Sequence, residues 1–267
     1  MRTKRVVAII QARMGSSRLP GKVMAPIIGK PMLWHVVNRV KRSKLVYKVV
    51  VATSTRLEDK KIVEFCKKNG VDAFIGPEKN VLKRYYLAAK QYRADVIVRI
   101  TADCPLIDPK IVEKSIRTFF KGNFDYLAIL TGAGSLKSKD KKYPDGMDCE
   151  VFSFQSLEKA YREATSNKER EHVTVYIWRN PHKFKIGKLE STVDCSDIRL
   201  VVDTKEDFLL VRKIYSKLYK KTPNFGLEEI LSLFKKKPEL LKINRLNIGK
   251  EGYEEFWNEK ERITKIV

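Results

Sequence analysis

Val6-Val7-Ala8-Ile9-Ile10-Gln11-Ala12-Arg13-Met14-Gly15-Ser16-Ser17-Arg18-Leu19-Pro20-Gly21-Lys22 is the stretch on which the reading of this chain turns. Its first five residues form a continuous apolar run, the pattern of a strand buried on both faces of a parallel sheet. Behind the strand stand two glycines and three cations within ten residues. Gly15 and Gly21 permit backbone conformations in which several N–H groups point at one anion. Arg13, Arg18 and Lys22 supply positive charge, and arginine engages two phosphate oxygens at once. A turn that merely reverses the chain needs none of these cations. The spacing is neither GxxxxGK[ST] nor GxGxxG. Its position at the carboxyl end of a strand is where α/β sheets bind ligands. The segment reads as a phosphate-binding loop, with Gln11, Ala12, Arg13, Gly15, Ser16, Arg18 and Lys22 as candidate contacts to the anion.

Outward from the loop, short apolar runs alternate with helical patterns. Strands are predicted over 6–10, 48–52, 71–75 and 95–100, and helices from 32 and over 57–69, 81–92 and 110–120. This alternation predicts a Rossmann-like, mostly parallel α/β sheet with helices on both faces. After residue 124 the rhythm changes. Residues 132–142 are polar and lysine-rich and read as a mobile connection, either solvated or a lid over a ligand. Residues 147–152 and 184–189 read as strands of a subsidiary sheet, with helices near 154–164 and 169–178. Residues 198–202 return to the buried-strand pattern and precede a helix over 205–219. One domain over 1–267 is expected, with an inserted subregion at 124–190. The basic run at 235–237 reads as a solvated helix face.

Composition bounds the function. The chain has 267 residues, of which 43% are hydrophobic, enough for a substantial core. No apolar run reaches the ~18 residues that span a membrane. The apolar part of the basic N-terminus is too short for a signal peptide, so a cytoplasmic location is expected. Lys+Arg total 55 against 32 Asp+Glu, a net charge of +23 that attracts polyanions. High charge with only three glutamines is also the composition of heat-adapted proteins, so the charge has two readings. No zinc finger, basic heptad array or aromatic RNA-recognition signature accompanies it, and the cations are spread along the chain. Neither nucleic acid nor membrane is therefore expected as a partner. Cys66, Cys104, Cys149 and Cys195 are scattered and read as free thiols.

Acidic residues mark the rest of the site. Asp103 follows a buried strand, and Pro105 fixes the turn behind it. Asp203 ends another apolar run. Two carboxylates at strand ends suit Mg²⁺, which takes hard oxygen ligands and shares them with phosphates. Each is alternatively a helix cap, a serious rival for Asp203 with Thr204 and Glu206 behind it. Asp108, before Pro109, reads as a cap. Thr53 and Ser54 end the second strand, where hydroxyls either face a nucleotide base or serve the fold. Arg99 lies inside a strand, where a lone charge is costly, so it reaches an acid or the ligand. Alternation through Met147, Cys149 and Val151 puts Asp148 and Glu150 on one face, with Asp145 nearby. These three acids bind sugar hydroxyls, bind a second metal or pair with lysines. Arg170 and His172 contact an anionic acceptor or a second subunit, although a lone histidine is commonly structural.

The loop Arg13-Met14-Gly15-Ser16-Ser17-Arg18-Leu19-Pro20-Gly21-Lys22 resembles the signature of the CMP-sugar synthetases, the acylneuraminate and 3-deoxy-manno-octulosonate cytidylyltransferases. The nearest branch is that of spore-coat polysaccharide biosynthesis protein F. Further matches are Val51-Ala52-Thr53-Ser54, Asp103-Cys104-Pro105-Leu106-Ile107-Asp108, Pro144-Asp145-Gly146-Met147-Asp148-Cys149-Glu150, Arg170-Glu171-His172-Val173, Val202-Asp203-Thr204-Lys205-Glu206-Asp207 and residues 247–253. The likeness covers nearly the whole chain, and the ordered set is more specific than any member. It implies a nucleotide-diphospho-sugar transferase fold whose loop holds the CTP phosphates. It also implies Asp103 and Asp203 as Mg²⁺ ligands, Arg13, Lys22 and Asp103 as catalytic residues, and acceptor binding by Asp145, Asp148, Glu150, Arg170 and His172. The partners implied are CTP, an acidic sugar or sugar phosphate acceptor, and a second copy in a homodimer. The reaction expected is transfer of CMP with release of pyrophosphate, for a surface polysaccharide or glycan. Another nucleotide or a non-sugar acceptor is the rival within the fold. A catalytically silent partner subunit is a further rival, against which stand Arg13, Lys22, Asp103 and Asp203.

Overall fold

The computed structural model describes residues 3–136 and 138–249. In chain order its elements begin with strand β1 (Val6–Gln11), the hairpin strands β2 (Pro26–Ile27) and β3 (Lys30–Pro31), and helix α1 (Met32–Lys41). Then come β4 (Lys48–Ser54), α2 (Lys60–Lys68), β5 (Asp72–Gly76), α3 (Val81–Gln91), β6 (Val96–Thr101) and α4 (Pro109–Gly122). The second half holds β7 (Tyr126–Ile129), β8 (Glu150–Ser153), α5 (Phe154–Glu163), α6 (Asn167–Glu171), α7 (Val175–Trp178) and β9 (Ile186–Leu189). Helices α8 (Lys205–Leu218) and α9 (Leu227–Lys236) follow.

Seven strands form one sheet in the order β5-β4-β1-β6-β8-β7-β9. All run parallel except β8, which is antiparallel to β6 and β7. Alternate residues of β1 feed two cores. Ala8 and Ile10 pack with α1, α2, α4, α8 and α9, and Val7 and Ile9 with α3, α5 and α7. Ile9 and Ile10 are both fully buried, each burial contributing roughly 1.5–3 kcal/mol. This two-sided burial is why β1 is apolar throughout. The chain runs outward from β1 to β4 and β5, then returns to the other side of β1 as β6. Such a switch point opens a crevice at the carboxyl ends of the strands.

Local chemistry sets the helix ends. Asp108 caps α4 by accepting from Lys110 N at 2.8 Å, with Pro109 in the first turn. Thr204 caps α8 in a reciprocal box with Asp207. Asp203 is thus free of the capping duty that rivalled its site role. Lys235–Lys237 are exposed at the end of α9, as the charge pattern predicts.

Four expectations need correction. The strands expected to form a subsidiary sheet are β8 and β9 of the main sheet, so residues 124–190 extend it by three strands. Residues 198–202 form no strand: Asp145 and Arg199 make one isolated bridge, and Gly146 (φ 94°) turns the chain away immediately. The helix expected over 169–178 breaks at Val173 (φ 58°), where Thr174 N donates to His172 O at 2.6 Å. There Thr174 Oγ1 donates to buried Glu150 at 2.9 Å. The connection at 132–142 is not solvated throughout, because Ser135 and Leu136 are buried. All four cysteines are buried free thiols.

Candidate active site

The loop after β1 is pinned from beneath. Ala12 N donates to Ala52 O and Ala102 N to Gln11 O, holding the ends of β1, β4 and β6 level. Asp59, fully buried, accepts from Met14 N at 2.6 Å and from the Ser54 hydroxyl. Gly21 N donates to Met14 O at 3.0 Å, closing the loop at a φ of 71° that glycine tolerates. The loop encloses a cavity of about 200 Å³ lined by Gln11, Ala12, Arg13, Gly15, Ser16, Arg18 and Lys22, while the other expected nucleotide contacts, Thr53, Ser54 and Arg99, do not line it. Gln11 also keeps a buried amide oxygen without a hydrogen-bond partner, an acceptor that a ligand donor satisfies.

Asp103, after β6, and Asp203, before α8, meet on this cavity. Between them lies the Lys22 ammonium. It donates to Asp103 Oδ2 at 3.0 Å, Asp203 Oδ1 at 2.7 Å and Val202 O at 2.7 Å, so its three protons are all used. Burial alone lowers a lysine pKa, but the two carboxylates outweigh it and hold Lys22 above its ordinary value. Arg18 approaches Asp203 Oδ1 at 3.4 Å from a half-exposed position, and Arg199 takes Asp203 Oδ2 at 2.8 Å. Arg199 also reaches both oxygens of Asp207 at 3.2 and 3.3 Å. Asn244 Nδ2 donates to Asp207 Oδ1 at 2.9 Å. Burial opposes ionisation of Asp207, yet Asn244 and Arg199 hold its pKa below the usual value.

A second cavity, about 170 Å³, lies on the other side of Asp103 and shares Thr101 and Asp103 with the first. Asp145, Asp148, Glu150, Arg99 and Arg199 line it. Asp145 Oδ1 accepts from Ala133 N at 2.8 Å, and burial with the neighbouring Asp148 raises its pKa to about 7. Asp148 accepts from Thr131 Oγ1 and Gly146 N, both at 2.7 Å, yet burial still raises its pKa.

Several sequence assignments are redirected. Arg99 pairs with Glu150, which also accepts from Tyr126 OH and Thr174 Oγ1. Arg99 therefore takes the acidic partner left open by the sequence. Glu150, expected on the acceptor, lines the second cavity but spends its oxygens on these three residues. Thr53 and Ser54, expected at the base, are buried and line neither cavity, because Ser54 supports Asp59 instead. Arg170 on α6 is exposed, His172 follows it, and neither lines either cavity.

Four residues of the site were not anticipated: Asp59, Arg199, Asp207 and Asn244. Arg199 was detectable, since it sits inside an apolar run just as Arg99 does. Asp207 closes the motif at 202–207, three residues after Thr204 as in a capping box, whereas Asp59 and Asn244 carry no local signal.

Comparison with known proteins identifies the family. A sequence model of the cytidylyltransferase family matches residues 7–256. An uncharacterised protein of Methanocaldococcus jannaschii is 38% identical over 255 residues, 94% of this chain and 98% of that protein. The spore coat polysaccharide biosynthesis protein SpsF of Bacillus subtilis is 32% identical over 241 residues, 88% and 95% of the two chains. A solved cytidylyltransferase from Leptospira borgpetersenii superposes with a TM-score of 0.82 at 35% identity, covering 90% and 97%. With the family model spanning almost its full length and relatives more than 30% identical covered nearly end to end, this chain belongs to the cytidylyltransferase family.

Proposed function

We propose that the chain, as a homodimer, transfers CMP from CTP to an acidic sugar or sugar phosphate, releasing pyrophosphate for synthesis of a surface polysaccharide. The observation that carries the reading is Asp103, which forms a wall common to the loop cavity and the carboxylate-lined cavity. A group there stands between a triphosphate on one side and an acceptor on the other. Residues 124–190 supply most of the acceptor side, including Asp145 and Asp148.

An acceptor oxygen attacks the α-phosphorus, and the bond from that phosphorus to the β-bridging oxygen breaks, its electron pair leaving with pyrophosphate. The loop backbone, Arg13, Arg18 and Lys22 orient the triphosphate and neutralise charge building on the leaving group. Asp145 and Asp148 receive acceptor hydroxyls. An ionised sugar phosphate needs no base, whereas for a neutral anomeric hydroxyl Asp145 is placed to take the proton. Asp103 and Asp203 would hold Mg²⁺, for which they are a fitting donor set. They are hard carboxylates converging on one point where an ammonium already stands. Among the described residues no group of three or more His, Cys, Asp or Glu forms a metal cluster. The remaining ligands would be water and phosphate oxygens, as is usual for this ion. When bound, the ion neutralises charge on phosphate oxygens.

Pyrophosphate release from each of four nucleoside triphosphates with Mg²⁺, against sugar acids and sugar phosphates, tests the proposal. Light scattering reads the mass of the same preparation. Release is expected with CTP and one acceptor class, and Lys22→Ala should lose about 10²-fold or more in turnover. Release from another nucleotide alone, or wild-type kcat/KM in Lys22→Ala, overturns it.

A further inference from the structure

Lys22 occupies the place where the two aspartates converge, and their remaining valences are nearly spent. Asp203 Oδ1 takes Lys22 and Arg18, and its Oδ2 takes Arg199. Asp103 Oδ2 takes Lys22, and its Oδ1 has only the Cys104 thiol at 3.8 Å. The cluster also balances in charge. Asp103, Asp203 and Asp207 face Lys22, Arg18 and Arg199, three acids against three bases. A divalent cation entering this site meets a neutral cluster in which three of the four oxygens of Asp103 and Asp203 are already engaged by cations, and it must expel an ammonium that makes three hydrogen bonds. That exchange is unfavourable in a site where Lys22 is 7% exposed and screening is weak.

We infer that Lys22 is the closing group of the divalent-cation site: its ammonium stands in for the ion until a nucleotide arrives. The inference rests on the reading that Asp103 and Asp203 hold a divalent ion. A triphosphate on the loop brings about four negative charges beside Lys22 and Arg18. Those charges give the ammonium a new partner on the same cavity wall, and the two carboxylates become available. Nucleotide and metal then bind with positive coupling, and each raises the other's affinity by one factor. Lys22 thereby prevents the free enzyme from filling with metal ahead of its nucleotide.

The test follows Mn²⁺ by electron paramagnetic resonance, using wild-type chain, Lys22→Gln and Lys22→Arg, without nucleotide. Wild-type and Lys22→Arg should bind Mn²⁺ at least roughly tenfold more weakly than Lys22→Gln, the effect of removing one competing cation. Asp103→Asn in the Lys22→Gln background should abolish the gain, which locates the ion. Tight Mn²⁺ binding by the wild-type chain alone overturns the inference, whatever the variants do. So does a folded Lys22→Gln, checked by circular dichroism, that gains no affinity, or a Lys22→Arg that gains as much. Calorimetry of CTP binding to the wild-type chain, both with Mg²⁺ and in chelator, separates the two readings. Absence of CTP binding removes the nucleotide proposal while the Mn²⁺ arms still decide the role of Lys22.

Discussion

Asp145 is 3% exposed and faces Asp148 across the second cavity. Burial, then the charge of Asp148, raises its pKa from 3.8 to about 7. Between those two values the folded chain keeps a proton that the unfolded chain has released. The folded state binds more protons there, so stability is fully present below about pH 4 and is lost as pH rises through 7. Asp145→Asn carries no charge and retains an acceptor oxygen for Ala133 N. Its melting temperature should fall less between pH 5 and 8 than that of the wild-type chain, read by scanning calorimetry at stepped pH. Parallel slopes would show that Asp145 is ionised throughout. The same residue shows how far the site was legible. Chemistry encoded within ten neighbouring residues, as in the loop, could be read directly. Asp145, Asp148 and Asp203 were readable as acids in short motifs, but the network behind Asp203 was not, because Arg199, Asp207 and Asn244 come together only through the fold. Arg99 and Glu150 illustrate the converse: each looked like a ligand-binding charge, and the register of β6 against β8 places them opposite one another.

Elements differ in how plainly they announce themselves. Strands β1, β4 and β6 carry helices on both faces, so their sequences are mostly apolar, broken in β6 by Arg99, and were readable, within a residue or two, from the sequence. Strand β8 has four residues, and nothing in so short a run states whether it runs with its neighbours or against them. Its reversed direction and its place between β6 and β7 arise from long-range pairing. The segment that leads into it turns on Gly146. That glycine has a φ of 94°, and a Cβ there would lie 2.5 Å from Leu200 C and Val201 N. The close approach sets the Asp145–Arg199 bridge and, two residues further on, the position of Val202 O and Asp203 around Lys22. Gly146→Ala should therefore cost about 2–4 kcal/mol from backbone strain and overpacking. The melting temperature should drop by roughly 5–15 °C. Turnover at a temperature where the variant remains folded should fall as well, since the strap that carries Asp203 must shift. An unchanged melting temperature would mean the strap yields without cost.

At the scale of the whole molecule the charge separates two anion-binding behaviours. The loop cavity lies at the carboxyl edge of the sheet, with a buried Lys22 and a fixed backbone. At the opposite, amino edge an open groove of about 980 Å³ is lined by Lys4, Arg5, Lys44, Arg117 and Lys121 with Tyr47 and Phe120, and among the described residues no acid lines it. Surface cations of this kind bind polyanions by releasing counterions, a process that weakens steeply with salt. Buried groups are screened far less. A mixed-sequence oligonucleotide should bind the chain at 50 mM salt and lose roughly 10³-fold in affinity by 200 mM. CTP affinity should change by less than about tenfold over the same range. CTP should not displace the oligonucleotide at low salt, since the two occupy opposite edges of the sheet. Fluorescence anisotropy of a labelled oligonucleotide, with and without CTP at each salt concentration, measures both effects. Oligonucleotide binding that persists at 200 mM salt would make the basic surface a nucleic-acid site in its own right. Its loss there assigns the net charge of +23 to long-range attraction, leaving selection to the dozen residues around Asp103.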